Sequence, residues 1–225
     1  MNNKLSVTPR ESFARWRWLL ILLISGAFLP ALAQEDNLVA GRDYIAINPP
    51  LPTRAGDKIE VLEFFNFSCP HCFRMQGSIA KWRAKADLTD VALLHQPVVF
   101  QRYGGHFARV YHTLVALGVE DEYYGKVFAA LHRERQLINN QDRFVDWMEE
   151  NGFDADKVTA VYDSFTVNTK VKRDVDIVSA YGIDSTPQMA VAGKYVLTPA
   201  LSGSYDGVMR DVEILLARER RAQKE

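Results

Sequence analysis

The sequence predicts an α/β protein in which a helical stretch interrupts a strand-bearing fold. Three observations carry that expectation. "KIEVLEFFNF" (58–67) is apolar and rich in aromatic and β-branched residues, as a buried strand should be, and the helical spacing of Phe73, Met75, Ile79 and Trp82 follows it. From about 105 to 164 the periodicity is helical throughout. Strand character returns late, at Met189–Ala192 and Tyr195–Leu197, with Ala192-Gly193-Lys194 as the turn of a hairpin.

In chain order, the first 33 of 225 residues read as a targeting leader. Lys4, Arg10, Arg15 and Arg17 against Glu11 make a basic opening, and "WLLILLISGAFLPALA" follows. Ala31-Leu32-Ala33 has the small–x–small pattern of a signal-peptidase site. The apolar run is about 16 residues, broken by Gly26 and Pro30, where a bilayer span needs roughly 20. An uncleaved anchor is the alternative. Cleavage after Ala33 leaves 192 residues, with Lys plus Arg falling from 27 to 23 and Asp plus Glu from 28 to 27, a net charge of −4. That length supports one core, and the mildly acidic balance gives no electrostatic footprint for nucleic acid. A monomer is expected.

Strands are expected at 43–48, 58–67 and 91–100, then helices at 105–117, 122–134, 141–150 and 155–164. A helix at 167–181 leads to the hairpin, and 205–222 closes the chain, its basic end suiting the helix dipole. Thr186-Pro187 enters the first hairpin strand, where a cis bond would account for the proline.

Cys69 and Cys72 are the only cysteines. A staple closing so short a loop would constrain the unfolded chain very little. A structural zinc site needs four Cys or His ligands, and no second CxxC or HxxxH exists; His95, His106, His112 and His132 are scattered among apolar residues. A redox pair fits best. Pro70 suits a first helical turn, so the pair opens a helix, with Cys69 near the N-cap and Cys72 one turn deeper. The free N–H groups there favour a thiolate at Cys69. The His71 ring can donate to that sulfur or stand near it as a cation; either stabilises the reduced form and makes the pair an oxidant. Glu63 falls on the strand face of Val61 and Phe65, where burial disfavours its charged form. It is expected either to ferry protons to Cys72 or to cap a buried polar contact.

"VLEFFNFSCPHC", "ALGVED" (116–121) and "STPQMAVAGKYVL" together resemble the DsbA family, periplasmic thiol:disulfide oxidoreductases of Gram-negative bacteria. The resemblance spans essentially all of the chain after the leader. It implies a thioredoxin fold with an inserted all-helical domain: 34–102 and 167–225 thioredoxin-like, 103–166 inserted. Carried over by position, Cys69 is the nucleophile, Cys72 the resolving cysteine, and Pro70 and His71 the dipeptide that tunes the potential. Glu63 matches the buried acid and Pro187 the cis-proline facing the disulfide, while Thr186 pairs its backbone with a bound segment. Phe73 and Met189 are expected to give apolar surface for clients. The resemblance further implies disulfide donation to newly exported proteins, reoxidation by a DsbB-type membrane partner, and no cofactor or metal. One departure stands out: better-known members pair the buried acid with a lysine on the next strand, and "VALLHQPVVF" offers only His95. On the residues alone, a reductase or isomerase, a peptide-binding chaperone and a metal carrier remain open.

Overall fold

The computed structural model of the chain describes residues 37–224; the leader and cleavage site expected at 1–33 lie outside the described residues. Five strands form one sheet: β1 (Ile45–Ala46), β2 (Ile59–Phe65), β3 (Val91–Pro97), β4 (Gln188–Val191) and β5 (Tyr195–Leu197), in the order β1-β5-β4-β2-β3. β2 runs parallel to β3, while β4 is antiparallel to β2 and to β5. Helix α1 (Pro70–Arg83) makes the crossover that a parallel β2–β3 pair requires. Then follow α2 (Gly104–Leu117), α3 (Glu120–His132), α4 (Gln141–Glu150), α5 (Ala155–Tyr162) and α6 (Phe165–Ala180). After the hairpin come the short α7 (Pro199–Ser202) and the long α8 (Tyr205–Ala222).

Every residue of β2 is buried, and its two faces serve different layers. Val61 packs with Met75, Ile79 and Trp82 of α1 and Val208, Val212, Leu215 and Leu216 of α8. On the other face Leu62 and Phe64 meet Val178, Tyr181 and Ile183, from α6 and the loop after it. The C-terminal end of β2 feeds a third cluster, where Phe65, Phe67 and both cysteines join Phe107, Tyr124, Phe128 and Phe144 of the inserted helices. The redox pair therefore sits where sheet and helical segment share a core.

The expected elements all form, with shifted ends. The first strand shrinks from 43–48 to Ile45–Ala46, because β5 is only three residues long and pairs with no more than those two. The third stops at Pro97, where the chain turns away below α2. α3 begins at Glu120, two residues early, with Glu120, Asp121 and Glu122 in its positive first turn. α7 was not expected, although Thr198 caps it through Leu201 N–H and Pro199 opens it.

Candidate active site

The turn between β2 and α1 is built by the buried Asn66. Its Oδ1 accepts from the Ser68 N–H and hydroxyl, both at 2.8 Å, and its Nδ2 donates to the Val98 carbonyl at 3.2 Å. Its carbonyl accepts from the Cys69 N–H at 3.0 Å. An Asx turn so anchored delivers Cys69 to the N-cap in extended conformation (φ −84°, ψ 114°), with Pro70 as the first helical residue. The Cys69 sulfur accepts from the Cys72 N–H at 3.4 Å. Both cysteines are free thiols; Cys69 keeps 9% of its surface and Cys72 none.

These surroundings drive the two sulfurs apart. Cys69 is lowered from 9.0 to about 5, first by the Cys72 thiol donating to it, against the opposing effect of burial. The Thr186 hydroxyl and the backbone N–H groups of Cys72 and His71 lower it further. The Thr186 carbonyl, 3.6 Å from the sulfur, accepts only from the protonated thiol and so works the other way; the donors outnumber it. Cys72 is pushed far up, mainly by burial and then by its neighbour Cys69. The N-cap donors act as the sequence suggested, but the thiol–thiol contact is larger.

His71 is placed differently from expectation. Its backbone N–H serves Cys69, yet its ring lies on the surface with Nδ1 2.8 Å from the Tyr205 hydroxyl and 3.0 Å from Arg74 Nη2. Thr186-Pro187 is cis, with Pro187 buried and the Thr186 carbonyl turned to the sulfur. Gln101 Nε2 donates to Thr186 Oγ1 at 2.8 Å, tying this loop to the segment ahead of α2. Phe73 is half-buried, stacks on His132 at 5.1 Å and has the Arg133 guanidinium 5.8 Å from its ring centroid. Met189 corrects an expectation: it has no exposed surface and packs with Val61, Met75 and Leu197 in the sheet core, so it cannot meet a client. The alternation of β4 turns it inward beside Glu63, its partner across the β2–β4 ladder.

Glu63, wholly buried, has three partners. Gln76 Nε2 donates to Oε1 at 2.7 Å, and Oε2 meets His95 Nδ1 at 3.0 Å and the Tyr124 hydroxyl at 3.2 Å. His95 is its neighbour in the parallel ladder, so the histidine occupies the place where a lysine is absent. The other ring nitrogen of His95 lies 3.6 Å from Glu120 at the start of α3, and the ring stacks on Tyr124 at 4.1 Å. His106, His112 and His132 are satisfied by Tyr162, Asp174 and the Phe67 carbonyl. Among the described residues no group of three or more His, Cys, Asp or Glu is placed to hold a metal ion.

A CxxC at the N-terminus of a helix that follows a buried strand, faced by the Thr186 carbonyl of a cis Thr-Pro bond that leads into the neighbouring strand, defines a thioredoxin-fold thiol:disulfide oxidoreductase. The family model of the DSBA-like thioredoxin domain matches residues 60–206. The thiol:disulfide interchange protein DsbA of Bordetella parapertussis is 35% identical over 211 residues, covering 93% of this chain and 98% of that protein. Its Pseudomonas aeruginosa counterpart is 28% identical over 206 residues, covering 92% and 97%. The crystal structure of Pseudomonas aeruginosa DsbA superposes with a TM-score of 0.78 at 28% identity, over 84% of this chain and 98% of that one. The chain belongs to the DsbA family and is a thiol:disulfide oxidoreductase of thioredoxin fold with a helical insertion.

Proposed function

We propose that the protein donates the Cys69–Cys72 disulfide to newly exported, cysteine-containing proteins. A substrate thiolate attacks the Cys69 sulfur, the Cys69–Cys72 bond breaks, and Cys72 leaves and takes a proton. A second substrate thiolate then attacks the substrate sulfur of the mixed disulfide and expels Cys69 as thiolate. The substrate loses two protons and two electrons; the enzyme takes both electrons and one proton, ending as the Cys72 thiol and Cys69 thiolate, and the second proton goes to solvent. Glu63 and His95 supply the proton of Cys72; this is supported by their buried polar cluster with Gln76 and Tyr124, in which Gln76 Nε2 also lies 3.5 Å from the Cys72 carbonyl. Thr186 pairs its backbone with the client beside the mixed disulfide, and the half-buried Phe73 offers apolar surface.

Cys69 at the N-cap of α1, its sulfur accepting from the Cys72 N–H at 3.4 Å and its thiol lowered to about 5, is the observation that carries this reading. A low-pKa thiol leaves readily, and a stabilised reduced form makes the pair an oxidant. Cleavage after Ala33 and release of the mature chain into the periplasm would supply the oxidising compartment such chemistry needs, and turnover there requires a quinone-linked membrane partner of DsbB type. Among the described residues no helix is long and apolar enough to cross a membrane. The test is a redox titration in glutathione buffers read by tryptophan fluorescence, Trp82 lying buried in α1 itself. A pair that stays reduced until the buffer is strongly oxidising supports disulfide donation. A potential in the thioredoxin range, near about −270 mV, makes the protein a reductase instead.

A further inference from the structure

The His71 ring is held by residues to which its place between the cysteines gives no clue. Tyr205 opens α8, directly after the N-cap Ser204, and its ring is partly buried against the core beneath the sheet. Its hydroxyl lies 2.8 Å from His71 Nδ1. Arg74, one turn along α1, brings Nη2 to 3.0 Å from the same nitrogen and 3.4 Å from Nε2. The guanidinium only donates, whereas the Tyr205–Nδ1 bond runs in the direction the ring tautomer sets, the hydroxyl being able to donate or to accept. The seat is firm: Ser78 of α1 donates to Asp206 of α8 at 2.6 Å, and Lys81 pairs with the same carboxylate at 3.8 Å. The corner behind Tyr205 has no slack, since a Cβ on Gly207 would stand 2.2 Å from the Ser202 carbonyl oxygen.

We propose that Tyr205 is a positioning residue for the redox couple: it holds the His71 ring against α8, away from the Cys69 sulfur, and so limits the oxidising strength of the Cys-Pro-His-Cys pair. This rests on the reading of Cys69 and Cys72 as the redox pair. An imidazole that reached the sulfur would donate to the thiolate and stabilise the reduced form. Docked on Tyr205 and Arg74, the ring donates no hydrogen bond to the sulfur, and the donors there are the Cys72 thiol, the Thr186 hydroxyl and the backbone amides. Arg74 alone is a weak tether, because it is a surface side chain on the same helix, whereas Tyr205 ties the ring to a second element.

The experiment is a glutathione titration, with thiolate ultraviolet absorbance followed against pH, on four proteins: the parent, Tyr205→Phe, His71→Ala and the double variant. The ionisable groups facing the ring are Arg74 from α1 and Tyr205 from α8. Tyr205→Phe removes one oxygen and leaves the packing. It is expected to shift the equilibrium with glutathione roughly three- to tenfold towards the reduced enzyme, about 15–30 mV, and to move the Cys69 titration to lower pH. In the His71→Ala background the same substitution is expected to change neither quantity. A Tyr205→Phe protein identical to the parent overturns the proposal, and so does an equal shift with and without His71, which would make Tyr205 merely structural. A parent protein with no measurable couple in glutathione would instead overturn the redox reading beneath it.

Discussion

The depressed Cys69 thiol makes the stability of the reduced protein depend on pH, and stability rises with pH because the unfolded thiol holds its proton more tightly. An acid held lower in the fold contributes stability that is complete above its unfolded value of 9.0 and is lost as pH falls through about 5. Each pH unit in that window adds ~1.4 kcal/mol. The upper limit gained between about pH 5 and about pH 7 is therefore ~2.7 kcal/mol; one side of the sulfur reaches solvent, and screening reduces the figure to roughly half. The assay is urea unfolding of the reduced protein and of Cys69→Ser at several pH values from about 5 to about 8. The stability advantage of the parent over the variant is expected to grow steadily with pH. In the oxidised protein the sulfurs do not titrate, so no such growth is expected there. An advantage that is flat across the range, or that shrinks as pH rises, would refute the account of Cys69.

Three further outcomes follow from other parts of the molecule. His95→Leu withdraws a donor from the buried Glu63, but Gln76 and Tyr124 remain, so the loss should fall below the ~3–5 kcal/mol typical of a broken buried pair; adding Glu63→Gln should restore most of it in chemical denaturation. Gly193→Ala should destabilise by about 2 kcal/mol or more while leaving the redox equilibrium unchanged, because φ is +68° and the new Cβ would stand 2.2 Å from the Leu51 carbonyl oxygen. Met189→Ala should cost ~2–5 kcal/mol and Met189→Leu under ~1.5 kcal/mol, with neither slowing oxidation of a dithiol peptide; a slowed but fully stable Met189→Leu would return that residue to the client surface.

What was legible in the sequence and what was not divide along the range of the interaction. β2, α1 and α8 announce themselves through apolar periodicity, and α8 forms over the expected 205–222. The caps Asn140, Asp154, Ser164 and Ser204 are likewise local signals, each accepting from an N–H three residues on. Cys69 at an N-cap follows from a strand ending just before Pro70. Side-chain direction is harder. The inward turn of Met189 depends on the register of β4 against β2, and the fate of the His71 ring depends on Tyr205, 134 positions away. Asn66 carried a signal that was available, an Asx residue just before the motif. Glu63 was visible as a polar residue in an apolar strand, but its pairing with His95 required the parallel register.

The asymmetry of the two sulfurs explains why one CxxC can serve both halves of a disulfide transfer. Only Cys69 has exposed surface, so the first attack has one target. Cys72, held up by burial, is a poor leaving group in that step and needs a proton nearby, a demand the proposed role of the Glu63–His95 cluster would meet. Cys69 needs no proton to leave in the second step, because the donors around its sulfur already stabilise the thiolate. Lowering Cys72 to match Cys69 would ease the first step, but a freer Cys72 thiolate would also attack the mixed disulfide and expel the substrate unoxidised. Deep burial of the resolving cysteine thus protects the mixed disulfide long enough for the second substrate thiol to arrive.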